Sequence, residues 1–256
     1  MATLSWSGPY GFDIRDIDLS YLPYGYSYTQ TSSYFSVSYD ENGYFRDDFR
    51  GSGIKYNSEG VPKDGTIKSY SAIFDGVKIG SITGLKISVK SLVKAALTES
   101  ATDDLRLFKN ALSGDDKITG GFYDDVIEGF SGKDTIYGRG GADFLFGGKG
   151  ADNFVYKSIA DSTVDPLGQD AIFDFSRSQK DKIDLKSIDA NIYAGGNQKF
   201  KFIGLDTFHN RTGELRYEKL AEGGLLVSGD VDGDAQADFA IQVYNISKLT
   251  KDYFVL

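Results

Sequence analysis

The spacing of apolar positions changes twice along the 256-residue chain. Through residues 1 to about 90, apolar and polar residues alternate in short runs, as in Tyr24-Gly25-Tyr26-Ser27-Tyr28 and Tyr34-Phe35-Ser36-Val37-Ser38-Tyr39. A period of two sends successive side chains to opposite faces of a strand, so these runs predict antiparallel β-structure. Further strands are expected at Gly53–Tyr56, Thr66–Phe74, Val77–Ile82 and Leu85–Val89. Asp40–Gly43 reads as a turn, and Asp75-Gly76 is a pair that favours a tight hairpin. The period then becomes helical: Leu92, Val93, Ala96 and Leu97 share one face of residues 91–97, and Leu105, Phe108 and Leu112 share one face of 101–112. Thr102-Asp103-Asp104 suits a helix start, because acids there oppose the positive end of the helix dipole.

The second change, from Ala111 to Val155, is to a period of nine. The units ALSGDDKIT, GGFYDDVIE, GFSGKDTIY, GRGGADFLF and GGKGADNFV each carry an aspartate at the sixth position and an apolar residue at the eighth. The aspartates are Asp116, Asp125, Asp134, Asp143 and Asp152; the apolar residues are Ile118, Ile127, Ile136, Leu145 and Phe154. Glycines at the fourth position, Gly114, Gly132, Gly141 and Gly150, permit left-handed turns that aim carbonyl oxygens inward. The closing triplet has room only for a short strand with its middle side chain inside. Each unit is then half a coil, so Asp116, Asp134 and Asp152 stack in one column and Asp125 and Asp143 in another. One inter-coil cation site is expected per stacked pair, with Asp134 facing two of them. The segment holds eight acids against four bases, so without a cation repulsion and glycine entropy should keep it unfolded. The second unit lacks the fourth-position glycine and has Tyr123, a strained residue for a left-handed turn. The first unit begins Ala111-Leu112 in place of a glycine pair, so the N-terminal sites are expected to be the weakest.

These units resemble the G-G-x-G-x-D-x-U-x repeat of hemolysin-type calcium-binding (RTX) proteins. The resemblance implies a parallel β-roll stapled by Ca²⁺, an ion that takes six to eight oxygen ligands at about 2.3–2.6 Å. The competing reading is a glycine- and aspartate-rich linker, which does not account for an unbroken register. Further on, Asp170-Ala171-Ile172-Phe173-Asp174-Phe175 and Asp181-Lys182-Ile183-Asp184-Leu185 resemble the C-terminal domain of serralysin-type secreted proteases, as does Gly229–Ile241. There the roll runs into a β-sandwich, and the likeness extends over about 111–256. The protease part does not carry over: no H-E-x-x-H is present and His209 is the sole histidine. Asp170, Asp174, Asp181 and Asp184 either hold a further calcium or are solvent-facing positions of strands. Asp230, Asp232, Asp234 and Asp238 approach an EF-hand spacing, but glycine at position six and glutamate at twelve are missing, which favours a polar hairpin.

Composition narrows partners and compartment. Lys and Arg number 28 against 37 Asp and Glu, a net charge of −9 that argues against nucleic acid and anionic membrane as partners. No cysteine is available for disulfides or thiolate metal sites. No apolar run approaches a membrane span. The N-terminus has no basic stretch before an apolar core, so a cleaved signal peptide is not expected. Lys251-Asp252-Tyr253-Phe254-Val255-Leu256 resembles the uncleaved C-terminal signal of RTX proteins that pass the type I secretion machinery; an edge strand is the alternative. The resemblance therefore implies a secreted protein, extracellular or held at the cell surface.

The expected fold class is mainly β: an N-terminal mostly-β domain with short helices over 1–110, a parallel β-roll over 111–155 and a C-terminal β-sandwich over 156–256. The two helices are expected to cover the open first coil. Function in the first hundred residues is less determined. Rows of tyrosine, if exposed, suit stacking on polysaccharide or a surface ligand. A non-enzymatic calcium-binding role is favoured, with two alternatives. Asp13, Asp16, Asp18 and Glu41 could serve a hydrolase of envelope or matrix polymer. A tyrosinate could ligate haem iron, since strands followed by Gly84-Leu85-Lys86-Ile87-Ser88 and a helical pair resemble secreted hemophores. Trp6 is expected in the core or as a cap, His209 in solvent, and Gly138-Arg139-Gly140-Gly141 in the repeat register rather than in a nucleotide loop.

Overall fold

A computed structural model describes residues 1–256. Its contacts divide the chain into two compact units, Met1–Pro9 with Asp13–Lys117, and Tyr10–Phe12 with Ile118–Leu256. No helix in either is long and apolar enough to cross a membrane.

The first unit is an antiparallel sheet carrying two helices. Its elements are β1 (Thr3–Trp6), β2 (Ser27–Gln30), β3 (Tyr34–Ser38), β4 (Phe45–Tyr56), β5 (Pro62–Phe74), β6 (Val77–Ser88), α1 (Val89–Ala96) and α2 (Ala101–Ala111). Hydrogen bonding gives the spatial order β1-β6-β5-β4-β3-β2. The two strands expected at Val77–Ile82 and Leu85–Val89 are one. Gly84, at φ +78°, lets the backbone bulge without ending the strand, so that Ser69 faces Thr83 while Ile67 faces Ile87. Asp75 (φ 48°) and Gly76 (φ 71°) form the hairpin that their residue types predict. Phe35 stacks on Phe49 at 4.6 Å between ring centroids, and Ile54, Ile67, Ile87, Leu92 and Phe108 are buried. Ser88 caps α1 by accepting from the Ser91 N–H at 3.2 Å.

The second unit begins with the nonapeptide strands β7 (Lys117–Thr119), β8 (Val126–Glu128), β9 (Thr135–Tyr137), β10 (Phe144–Phe146) and β11 (Asn153–Val155). The middle residues Ile118, Ile127, Ile136, Leu145 and Phe154 are buried, as the eighth-position pattern requires. Pairing is parallel, Val126 facing Phe144 and Thr135 facing Asn153, which is the eighteen-residue stacking of half-coils. Past Val155 the stacking continues: β12 (Asp170–Ile172) pairs in parallel with β10, and β13 (Lys182–Asp184) with β11.

The remaining strands are β14 (Lys201–Gly204), β15 (Glu214–Lys219), β16 (Leu225–Asp230), β17 (Phe239–Val243) and β18 (Phe254–Val255). They extend both sheets of the roll, in the orders β14-β15-β16-β17-β12-β10-β8 and β18-β13-β11-β9-β7. The mainly β architecture with a parallel roll is therefore present, and its C-terminal strands grow out of the roll's own sheets. Between those sheets Phe154 lies 6.4 Å from Phe175, while Phe146, Phe173 and Tyr244 stack at 5.1 and 5.2 Å along one sheet. The C-terminal residues Phe254 and Val255 pair in parallel with Ile183 and Asp184, so the tail is an edge strand in the folded protein.

Candidate metal centre

One bonding unit recurs at the aspartates of the second unit. The Asp125 N–H donates to Asp143 Oδ1 at 2.9 Å, and the Phe144 N–H returns a bond to the Asp125 carbonyl at 2.8 Å. The Asp134 N–H donates to Asp152 Oδ1 at 2.9 Å, and the Asn153 N–H to the Asp134 carbonyl at 2.8 Å. The next layer repeats it with Asp143 onto Asp170 and Asp152 onto Asp181, both at 3.0 Å. Asp170 and Asp181 thus continue the two columns, although the chain between layers is longer than in the repeat. Burial holds all of them: Asp125, Asp134, Asp143, Asp152, Asp170 and Asp181 are 1% exposed or less, and Asp125 and Asp181 accept backbone N–H groups on both oxygens.

The second oxygen is what gives these carboxylates a chemistry. Oδ2 of Asp143 and Asp152 is buried and accepts no hydrogen bond. Such an atom carries the full desolvation penalty of an unmade interaction, and a cation is the partner that offsets it. Glycine at the first position of the second to fifth units makes room for it. A Cβ on Gly138 would overlap Asp143 Oδ2, and one on Gly147 would stand 2.6 Å from Asp152 Oδ2. The turns between the strands have left-handed backbone at Gly132 (φ 136°), Gly141 (φ 111°) and Gly150 (φ 147°), and also at Phe130 (φ 64°), Arg139 (φ 79°) and Gly148 (φ 86°). Carboxylate and carbonyl oxygens of this kind form the hard donor set that Ca²⁺ takes, so the residues present fit the ion.

The first two nonapeptides differ from this geometry. Neither Gly114 nor Tyr123 adopts a left-handed backbone, so the strain expected at Tyr123 is absent and the turn expected at Gly114 does not form. In place of an earlier coil, backbone from the N-terminus meets the first aspartates. In the first unit the Ala2 N–H donates to Asp116 Oδ1, and the Lys117 N–H to the Ala2 carbonyl. In the second, the Phe12 N–H donates to Asp125 Oδ1 at 2.6 Å and the Val126 N–H to the Phe12 carbonyl at 2.7 Å. Ala2 and Phe12 reproduce the backbone half of the ladder and supply no carboxylate. Nothing in their residue type marks them for it.

Electrostatics follow from burial. Burial pushes the carboxyl of Asp152 up to about 7, and the charges of Asp181 and Asp174 add to the rise. Asp143 and Asp170 are both pushed upward by burial, and each carboxylate disfavours charge on the other. Asp161 adds to the same field; its Oδ2 accepts the Lys157 and Ser158 N–H groups at 2.6 and 3.0 Å. Asp161 has no place in the nonapeptide register, so the sequence pattern does not mark it.

The other flagged residues are engaged locally. Asp174 accepts the Gly147 and Gly148 N–H groups at 2.9 and 2.7 Å, and Asp184 pairs with Lys186 Nζ at 2.9 Å. Asp230, Asp232 and Asp238 converge within the β16–β17 hairpin. There Asp230 accepts the Gly233 and Ala235 N–H groups at 2.5 and 3.0 Å, and Asp238 accepts the Val231 N–H at 2.7 Å. His209 is not simply solvated: its Nδ1 lies 3.0 Å from Oε1 of the buried Glu214, five residues on in β15.

Residues 56–255 match the family model described as Peptidase M10 serralysin C terminal. Comparison with curated proteins gives no match. Among solved structures, the chain is similar to the AlgE6R3 subunit of the Azotobacter vinelandii mannuronan C5-epimerase. That similarity has 25% identity and a TM-score of 0.40, and it covers 56% of this chain and 74% of that one. The AlgE6R2 subunit of the same enzyme is 21% identical at a TM-score of 0.36, covering 56% of this chain and 88% of that one.

Two outcomes are expected. Between pH about 4 and about 7, the folded metal-free chain binds more protons than the unfolded chain at Asp152, so its stability falls as pH rises across that window. Because the chain without calcium is held unfolded near neutral pH, protonation of the buried Asp152 should let the chelated chain gain β-structure as pH falls from about 7 to about 5. Far-UV circular dichroism of the chelated protein at pH 5 and pH 7 reads this; identical spectra would refute it. Asp152→Ala, in the middle of a column, should raise the calcium concentration for half-maximal folding at least threefold. Asp184→Ala, outside the columns, should leave that midpoint unchanged by circular dichroism.

Proposed function

This chain belongs to the peptidase M10 serralysin C-terminal family, and from that premise we propose that it is an exported, non-enzymatic binding protein whose second unit folds on extracellular calcium. The observation that carries the reading is the pair of aspartate columns in which Oδ2 of Asp143 and Asp152 is buried without a hydrogen bond. Calcium would be held by the sixth-position aspartates, continued by Asp170 and Asp181, and by carbonyls of the left-handed turns; its chemistry there is to neutralise and cross-link them. Binding free energy then becomes folding free energy. Extracellular calcium modules work at about 10⁻⁴–10⁻³ M, far above cytosolic free calcium, so the chain would pass a type I channel unfolded and fold outside.

The first unit supplies the binding face in this reading. Tyr34, Tyr39 and Tyr70 are tied to Asp48 and Asp47 by hydrogen bonds of 2.6–2.8 Å and serve the sheet. Tyr21, Tyr24 and Tyr26 are instead 63%, 82% and 67% exposed, close together in sequence, with rings available to stack on sugar faces of a polysaccharide or on a surface partner. Two of the four carboxylates considered for hydrolysis serve local structure. Asp13 pairs with Arg15 at 2.5 Å, and Asp18 accepts the Ser20 N–H at 2.8 Å.

On a polysaccharide array in millimolar calcium, the protein should bind at least one acidic or neutral glycan, and Tyr24→Ala with Tyr26→Ala should lower that signal at least fivefold. A blank array would remove the glycan assignment. Export has a separate test. Deleting Asp252–Leu256 should leave the protein inside producing cells, while Phe254→Ala, which weakens only the docked edge strand, should still be exported; normal export of the deletion would show that the signal lies elsewhere.

A further inference from the structure

In the first unit, α1, strands β2 and β3 and the turn between β4 and β5 enclose a cavity of about 320 Å³. Its walls are hydrocarbon from Leu22, Phe35, Val37, Val61, Leu92 and Ala96. Two polar side chains at its edge are already engaged: Gln30 Nε2 donates to the Gly60 carbonyl at 2.6 Å, and the Tyr28 hydroxyl donates to the Leu22 carbonyl at 3.1 Å. A sugar would find little to bond to here, whereas an alkyl chain would leave water for a matching surface. The volume falls in the range of about 300–1,000 Å³ typical of small-molecule sites.

Val61, Pro62, Val93 and Leu97 line this cavity and also a second cleft of about 500 Å³. That cleft carries Lys63, Lys90 and Lys94, and none of the three takes part in an ion pair. Three cations on one cleft run against the net charge of −9. Glu59, exposed on the turn between β4 and β5, is the one acid lining the apolar cavity, and no acid lines the lysine cleft. We propose that the first unit binds a single-chain anionic amphiphile, with its alkyl tail in the cavity between α1 and β2–β3 and its anionic head against Lys63, Lys90 and Lys94. The site is distinct from the aspartate columns and from the exposed tyrosines, so its test does not depend on either.

The test uses the full chain in calcium, with decanoate at micromolar concentration, below micelle and calcium-soap formation, followed by titration calorimetry. Saturable binding of one decanoate per chain is expected. Acetate, which has the head without the tail, should not bind, and decyltrimethylammonium, which has the tail with the opposite charge, should bind at least tenfold more weakly. Lys63→Glu combined with Lys90→Glu and Lys94→Glu should raise the decanoate Kd at least tenfold, as should Leu97→Asp at the junction, both with an unchanged circular dichroism spectrum. Equal binding of the cationic amphiphile, or triple-variant affinity like that of the parent, would overturn the proposal. So would sedimentation with phosphatidylglycerol vesicles in the absence of decanoate binding, which would make the lysine cleft a membrane contact.

Discussion

The structure of the second unit depends on one contact, the bond from an aspartate's backbone N–H to the side-chain Oδ1 of the aspartate one layer on. Because the next residue returns a bond to the first aspartate's carbonyl, each carboxylate joins the backbone ladder as well as carrying charge. Strands of three residues offer few ladder bonds of their own, and parallel pairing that short is weak. The side-chain bond lengthens every rung by one acceptor and fixes the turn. It also obliges the carboxylates to be buried in columns, where they disfavour one another's charge. The bond that builds the coil is thus the source of its need for a cation, since removing the acids would remove the rungs.

How far this could be read from sequence depends on whether the determinant is periodic. The eighth-position residues Ile118, Ile127, Ile136, Leu145 and Phe154 and the eighteen-residue pairing follow from spacing alone, because any other register would expose a hydrophobic column. Asp170 and Asp181 stood out as acids beside apolar strands, but their place in the columns was hidden by the longer connections before them. Ala2 and Phe12 were invisible for a different reason: they contribute only backbone, which no residue type announces. In the first unit, strand content was legible and strand length was not. Gly84 reads as a break, yet its positive φ accommodates a bulge and pairing resumes beyond it. The partnering of Tyr39 and Tyr70 with Asp47 depends on strand register across β3, β4 and β5, which alternation cannot supply.

The two units illustrate different ways of meeting the cost of buried acids. Asp47, raised by burial, receives hydroxyl donors from Tyr39 and Tyr70 on both oxygens, so its charge is answered inside the sheet and needs no ligand. Asp161 and Asp181 are answered largely by backbone N–H groups. Asp143 and Asp152 have one oxygen answered and one left over. Half-satisfaction is costly for a structure that must stand alone, and useful for one that is to form only when an ion is present.

The C-terminal strand connects this logic to the end of the chain. Phe254 and Val255 pair with Ile183 and Asp184 of β13, and β13 is held to β11 directly behind the Asp152–Asp181 rung. Docking of the tail therefore requires a strand whose position the last rung of one column sets. Without that rung, β13 loses one of the bonds that fix the edge on which Phe254 and Val255 dock. A tail that is accessible in the unfolded chain and becomes a strand in the folded one can act as an address before folding and as structure afterwards. Under the export proposed above, the two readings of Lys251–Leu256 become successive states of one segment, separated by the formation of the aspartate ladder.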